Sequence, residues 1–172
     1  VLGTGVFQVA SGSGGHTCAA MSDGSLRCWG NGSSGQLGDG TASNFTGGAS
    51  SAPTVISNSV FSVSTGNQHT CAMDIAGGVQ CWGYNSNGAS LPDGPLTHLS
   101  PAPAFSTGVS FLSTGTYHTC VARAGGYECW GGGGNCQLGT GSCVDLKTGG
   151  TSAVPFSIAT GNGVVSGAAN SG

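Results

Sequence analysis

The chain has 172 residues, with only 3 Lys or Arg, 6 Asp or Glu and a formal net charge of −3. Charged residues make up 5% of it, against about 25% in an ordinary soluble domain. Three scattered cations (Arg27, Arg123 and Lys147) give no footprint for a phosphate backbone, so nucleic-acid binding is not expected. No apolar run reaches the ~18 residues of a membrane-spanning helix, and no membrane span is expected.

Glycine supplies 35 residues without a collagen-type period, while the 37% of apolar residues recur in short alternating strings. That pattern predicts an ordered all-β chain. The opening Val1-Leu2-Gly3 shows neither Met nor a signal peptide, as expected of a processed chain or of a piece of a longer one.

In chain order, the first β-type string is Val6-Phe7-Gln8-Val9. His16-Thr17-Cys18-Ala19 and Cys28-Trp29-Gly30 follow, separated by the turn residues Ser22-Asp23-Gly24, which reads as a β-hairpin. Gly35-Gln36-Leu37-Gly38 is at most a short helical turn. The same succession returns as Val60-Phe61-Ser62-Val63, His69-Thr70-Cys71-Ala72, the turn Ala76-Gly77-Gly78 and Cys81-Trp82-Gly83. A third copy runs through Val109-Ser110-Phe111-Leu112, His118-Thr119-Cys120-Val121, Ala124-Gly125-Gly126 and Cys129-Trp130-Gly131, with a second short turn at Cys136-Gln137-Leu138-Gly139. A fourth string, Val164-Val165-Ser166-Gly167, leads toward a further His expected just past Gly172. The histidines stand 53 and then 49 residues apart, and a period of that size marks a repeat array. The units are about 6–55, 60–105 and 109–158, with a leading strand at about 164–172. The Gly/Ser/Asn/Pro-rich stretches between them read as connections.

Eight cysteines are present. A three-residue loop Ser22–Gly24 pairs Met21 with Ser25 and hence Cys18 with Cys28. The same count centred on Ala76 pairs Cys71 with Cys81. A two-residue Ala124-Gly125 loop pairs Cys120 with Cys129 in the shorter third unit. Directly opposed antiparallel residues lie at disulfide distance, and Cys136 with Cys143 closes a separate loop. Each hairpin cross-link is expected to contribute ~2–3 kcal/mol and implies an oxidising compartment. Zinc is the rival, since His16, Cys18 and Cys28 share a face, but no fourth ligand recurs and the spacings are not those of zinc knuckles. Trp29, Trp82 and Trp130 are expected to form the apolar contact between neighbouring units.

The first unit resembles the regulator of chromosome condensation repeats in their bacterial, cysteine-bearing form. His16-Thr17-Cys18-Ala19, Asp23-Gly24-Ser25, Cys28-Trp29-Gly30-Asn31, Gly35–Thr41, Pro53 and Val55 carry the likeness. The second unit departs at Gly88–Gly94, and the third keeps Gln137-Leu138-Gly139 with an inserted cysteine pair. The resemblance implies a β-propeller, commonly of about seven blades, to which three units and one strand would contribute a part. Relatives bind proteins; some resemble β-lactamase inhibitors, others exchange nucleotides on a small GTPase.

No catalytic constellation stands out, and no enzyme, metal or cofactor is expected. The three repeated histidines read as structural, His98 as a loop residue, and Asp23 and Asp93 as turn formers before Gly. The Gly131–Gly134 run lacks the Lys of a phosphate loop. Asn31-Gly32-Ser33 and Asn44-Phe45-Thr46 match the glycosylation pattern. The expected function is therefore an extracellular or cell-surface module that binds a protein, with a glycan partner compatible. Its recognition face would be formed by Thr41–Ser51, Asn85–Ser100 and Asn135–Gly150. The alternative is a structural subunit of a fibre, sheath or surface layer, assembled from further copies by strand or blade complementation.

Overall fold

A computed structural model describes residues 5–42, 59–91, 94–124, 126–138 and the backbone of 156–158. The expected Val164–Gly167 strand, Asn44 and Cys143 lie outside these described residues. Every regular element among them is a strand. The first antiparallel sheet is β1 (Val6–Ser11), β2 (His16–Met21) and β3 (Leu26–Gly30). The second is β4 (Val60–Thr65), β5 (His69–Asp74), β6 (Val79–Tyr84) and β7 (Thr97–Phe105). The third is β8 (Val109–Thr114), β9 (His118–Arg123), β10 (Gly126–Gly131) and β11 (Phe156–Ile158). Strand order follows chain order in each sheet, as a meander requires.

Local chemistry sets the registers. Met21 N donates to Ser25 O at 2.9 Å and Gly24 takes φ +84°, so the three-residue turn closes with its glycine in the left-handed region. Asp74 N and Gly78 O repeat the bond at 2.9 Å with Gly77 at φ +77°. In the third sheet Arg123 pairs directly with Gly126. All three turns place the cysteines opposite one another, and Cys18–Cys28, Cys71–Cys81 and Cys120–Cys129 are bonded with Cα atoms 4.1 Å apart. Each inner strand also slips by one residue at the same place, between Val6 and Gln8, Val60 and Ser62, and Val109 and Phe111. This bulge turns Phe7, Phe61 and Ser110 out to solvent.

The sheets pack face to face, with β4 against β1 and β2, and β8 against β4 and β5. One face of the first sheet (Cys18, Ala20, Leu26, Cys28 and Leu37) meets the opposite face of the second (Val60, Val63, Ala72 and Trp82). The second then meets the third in the same way, with Cys71, Met73, Val79, Cys81 and Leu91 against Val109, Leu112, Val121 and Trp130. At both seams a tryptophan thus shares one apolar cluster with the disulfide of the preceding sheet. Trp29, in the equivalent place on the first sheet, is only half-buried. On that sheet Val9 is 55% exposed, where its counterparts Val63 and Leu112 are 2% and 5%.

Two expectations need correction. The stretch around His98 in the second unit, expected to be loop, holds a fourth strand: Thr97–Phe105 is the outer strand β7, paired with β6. Pro101 and Pro103 obscure it in the sequence, yet an edge strand tolerates residues that cannot donate to a ladder. His98 accordingly belongs to a strand, opposite Gly83, and not to a loop. Phe105 packs on Trp130 with centroids 5.6 Å apart, and the Arg123 guanidinium, itself bonded to Glu128, lies 5.2 Å above the Phe105 ring. The second correction is that Gly35–Gly38 forms successive β-turns, with Gly35 N on Gly32 O and Gly38 N on Gly35 O at 3.0 Å each, and no helical turn. Cys136 adopts φ 60° where Gly35 and Gly88 take 74° and 71°, so the third unit places a side chain in a left-handed site that the other two fill with glycine.

The asymmetry of the tryptophans gives a direct test. Trp82→Ala removes a fully buried indole and is expected to cost about 3–5 kcal/mol in urea unfolding, while Trp29→Ala costs less than half as much. Equal losses would contradict the packing described.

Candidate interaction surface

At one end of every sheet the turn between the first two strands meets the segment that leaves the third. One backbone bond sews them together in all three copies: Asn31 N to Gly15 O at 2.9 Å, Tyr84 N to Gln68 O at 2.7 Å and Gly132 N to Tyr117 O at 2.6 Å. What lies beneath this end fixes its shape.

That support is a relay between sheets. His16 Nε2 lies 2.9 Å from Thr70 Oγ1, and His69 Nε2 lies 3.1 Å from Thr119 Oγ1. Each threonine hydroxyl in turn donates to a backbone carbonyl in the segment that leaves the third strand of the preceding unit, Thr70 to Gln36 O at 2.8 Å and Thr119 to Ala89 O at 2.7 Å. A hydroxyl has one proton, which goes to the carbonyl, so it accepts from the imidazole and the network assigns the proton to Nε2. Gln36 O also accepts from Trp82 Nε1 at 3.0 Å. Because the acceptor is a main-chain carbonyl, Ala89 can serve where the first unit has Gln36. The second unit therefore keeps the relay although it lacks the Gly-Gln-Leu-Gly string.

The rings need room. A Cβ on Gly66 would lie 2.2 Å from His69 Cε1 and 2.6 Å from Gly115 O, and one on Gly12 would lie 2.1 Å from Gly66 O. Glycine is required at both positions by close approach of the next sheet's backbone. Burial pushes the pKa of His16 down to about 4, a backbone hydrogen bond at His69 opposing it. His69 is pushed to about 3 by burial, with His16 and His118 adding repulsion. Burial also lowers His118. These imidazoles are neutral at pH 7.

Above the relay, at the seam of the second and third sheets, lies a cleft of about 490 Å³. Tyr84, Ser86 and Asn87 form one wall, Tyr117, Asn135 and Gln137 another, and Gly132 lies in its lining between Tyr117 and Asn87. Asn67 Nδ2 donates to Tyr117 Oη at 3.3 Å, and Asn135 N donates to Gln137 Oε1 at 2.8 Å.

The residues singled out from sequence fall into distinct places. The six hairpin cysteines and Trp82 and Trp130 lie in the seams or the sheets beside them. Cys136 is in disulfide linkage, while its expected partner Cys143 is not described. The zinc grouping does not form: His16 turns to Thr70 of the next sheet, and Cys18 and Cys28 are bonded to each other. Among the described residues no three His, Cys, Asp or Glu side chains gather around a metal position. The expected recognition segment Asn85–Ser100 is only partly surface. Asn85 is buried with its Oδ1 accepting from Ser90 N and Leu91 N at 3.1 and 3.0 Å, and Ala89 and Ser90 are buried too, whereas Leu99 and Ser100 on the edge strand β7 are exposed. Asn31 is engaged on both ends, Nδ2 with Gly14 O at 3.1 Å and Oδ1 with Ser33 N at 3.0 Å. The two cleft tyrosines escaped sequence reasoning. The signal was the residue before His118 and the residue after Gly83, which the array brings to one seam.

Two family descriptions match the chain, both of the regulator of chromosome condensation (RCC1) repeat, one over residues 8–36 and 62–89 and the other over 23–73. Residues 8–89 thus match RCC1 repeats. Among solved structures, human WBSCR16 superposes with a TM-score of 0.74 at 23% identity, over 96% of this chain and 42% of that one. Prp20p from Saccharomyces cerevisiae superposes at 0.69 and 19% identity, over 91% and 39%. Yeast RCC1 (Prp20), solved with Kap60, superposes at 0.60 and 19%, over 76% and 31%. The fold is accordingly that of RCC1 β-propeller blades, and the chain spans less than half the length of each of these proteins.

The relay sets a pH dependence. In the unfolded chain the histidines titrate near the ordinary 6.5, but His16 and His69 when folded resist protonation until about 4 and about 3. Below 6.5 the unfolded state binds more protons, so stability is complete above that pH and is lost as pH falls toward 4. The loss from His16 alone is on the order of 3 kcal/mol. Urea midpoints at pH 7, 5.5 and 4.5 should fall in that order, and His69→Gln should flatten the slope. A pH-independent midpoint would contradict a neutral buried relay.

Proposed function

We propose that this RCC1-repeat chain belongs to a non-catalytic, extracellular or cell-surface interaction module that recognises a protein partner through the loop end just described. The observation that carries this is the cleft at that end, whose described lining residues carry no formal charge, above the His–Thr relay. Rigid blades presenting variable loops are a platform for recognition. Prp20p is described as binding Gsp1p and histones, and yeast RCC1 as bound to Kap60, which supports a protein partner as a class. Three disulfide-bonded hairpins support an oxidising compartment.

One observation favours assembly as a second reading. The face of the first blade that carries Val9 and Trp29 is the face that the second and third blades cover with a preceding blade. A further blade fits there, from the same polypeptide or from another chain of a fibre or surface layer. Sedimentation of the intact protein distinguishes these: a species growing with concentration and lost in Val9→Asp supports assembly between chains, and a concentration-independent monomer removes it.

The interaction reading is tested by affinity capture from culture medium. A Tyr84→Ser/Asn87→Ala/Tyr117→Ser variant should lose most of any partner retained by the native protein, while Ile75→Ser, at the opposite end, should keep it. Equal capture by both variants would overturn the assignment of this end.

A further inference from the structure

We propose that the cleft between Tyr84 and Tyr117 binds a neutral saccharide, one or two sugar residues being seated against the tyrosines and the Asn87, Asn135 and Gln137 amides. This rests on the reading of the loop end as the recognition surface and names a ligand class for the cleft in it. The cleft of about 490 Å³ lies within the roughly 300–1,000 Å³ of small-ligand sites.

Chemistry selects the class. No described lining residue carries a formal charge, so a phosphate, sulfate or carboxylate ligand would lose hydration without gaining an ionic partner. What the walls do offer are groups that both donate and accept: two phenolic hydroxyls, Ser86 Oγ and the four side-chain amides of Gln68, Asn87, Asn135 and Gln137. A sugar hydroxyl also does both, and adjacent hydroxyls can engage the two ends of one amide. Tyr84 and Tyr117 line the cleft and are 39% and 47% exposed, and a tyrosine combines an apolar ring with a polar hydroxyl. The C–H face of a pyranose matches such a ring.

A peptide fits less well. Capture of an extended peptide by strand addition needs an open strand edge, and here Tyr84 N is engaged by Gln68 O and Gly132 N by Tyr117 O. The lining glycines Gly132 and Gly134 offer no apolar pocket for an anchoring side chain. The walls are preset, since Tyr117 is held by Asn67 and both wall loops are sewn to the inner turns.

Isothermal titration and saturation-transfer NMR of the intact protein with maltotriose, cellotriose, mannotriose and chitotriose test this, each up to about 10 mM. At least one is expected to bind, with transfer to its ring protons, and Tyr117→Ala and Tyr84→Ala should each weaken it by about tenfold or more. Ile75→Ser should not. If a tyrosine variant loses its near-ultraviolet circular dichroism, Gly132→Ala serves instead. Its methyl would stand 3.2 Å from Tyr117 Cβ and 3.7 Å from Asn87 Nδ2 and should obstruct the same sugar. Binding of none of the four, binding unaltered by these variants, or preference for a sulfated or uronate oligosaccharide would overturn the proposal. A protein partner still captured through this end, with no sugar bound, would overturn this inference alone. Loss of both would also remove the interaction reading.

Discussion

A histidine that leaves its own sheet to hydrogen-bond the next is the constraint on which the remaining geometry depends. His16 and His69 donate to Thr70 and Thr119, and those hydroxyls return to carbonyls of the unit the histidine came from. The loop between is closed: strand start, next strand, and the segment after the tryptophan strand are tied at one depth. Burying such groups is favourable only when every partner is present, so the angle between adjacent sheets has little freedom. Glycine at positions 12 and 66, the placement of Trp82 under Gln36 O and the spacing of the loop end all follow from it.

Each blade carries little apolar surface, and more than a third of the glycines the chain contains adopt a left-handed φ, which makes ordering costly in backbone entropy. Two devices offset this at different links of the chain. The hairpin disulfides restrict the unfolded ensemble locally, whereas the relay and the tryptophans join units about fifty residues apart. The first fixes a strand pair; the second makes an array. The loop end inherits its rigidity from the second, which is why a cleft lined by loops can be preset.

Much of this was legible in the sequence. The cysteine registers followed from turn lengths, because a hairpin is local and its pairing is arithmetic. The three inner strands were visible as alternating strings. The histidines were recognised as structural, but their partners were not, since hydrogen bonds spanning 54 and 50 residues leave no local signature beyond the recurrence of His-Thr at the repeat period. Strand β7 was hidden by Pro101 and Pro103, which lower strand propensity but are tolerated at a sheet edge. Tyr84 and Tyr117 lie in different units at non-equivalent places in the repeat, so only the stacking of blades brings them together.

Blades are coupled through the imidazole–hydroxyl pair, and a double-mutant cycle measures that coupling directly. Urea unfolding of His69→Ala, Thr119→Val and the double variant should give a favourable interaction energy of about 1 kcal/mol or more. Stability changes that add within ~0.3–0.5 kcal/mol would mean that the two residues act independently, and the relay would not be what holds one blade to the next.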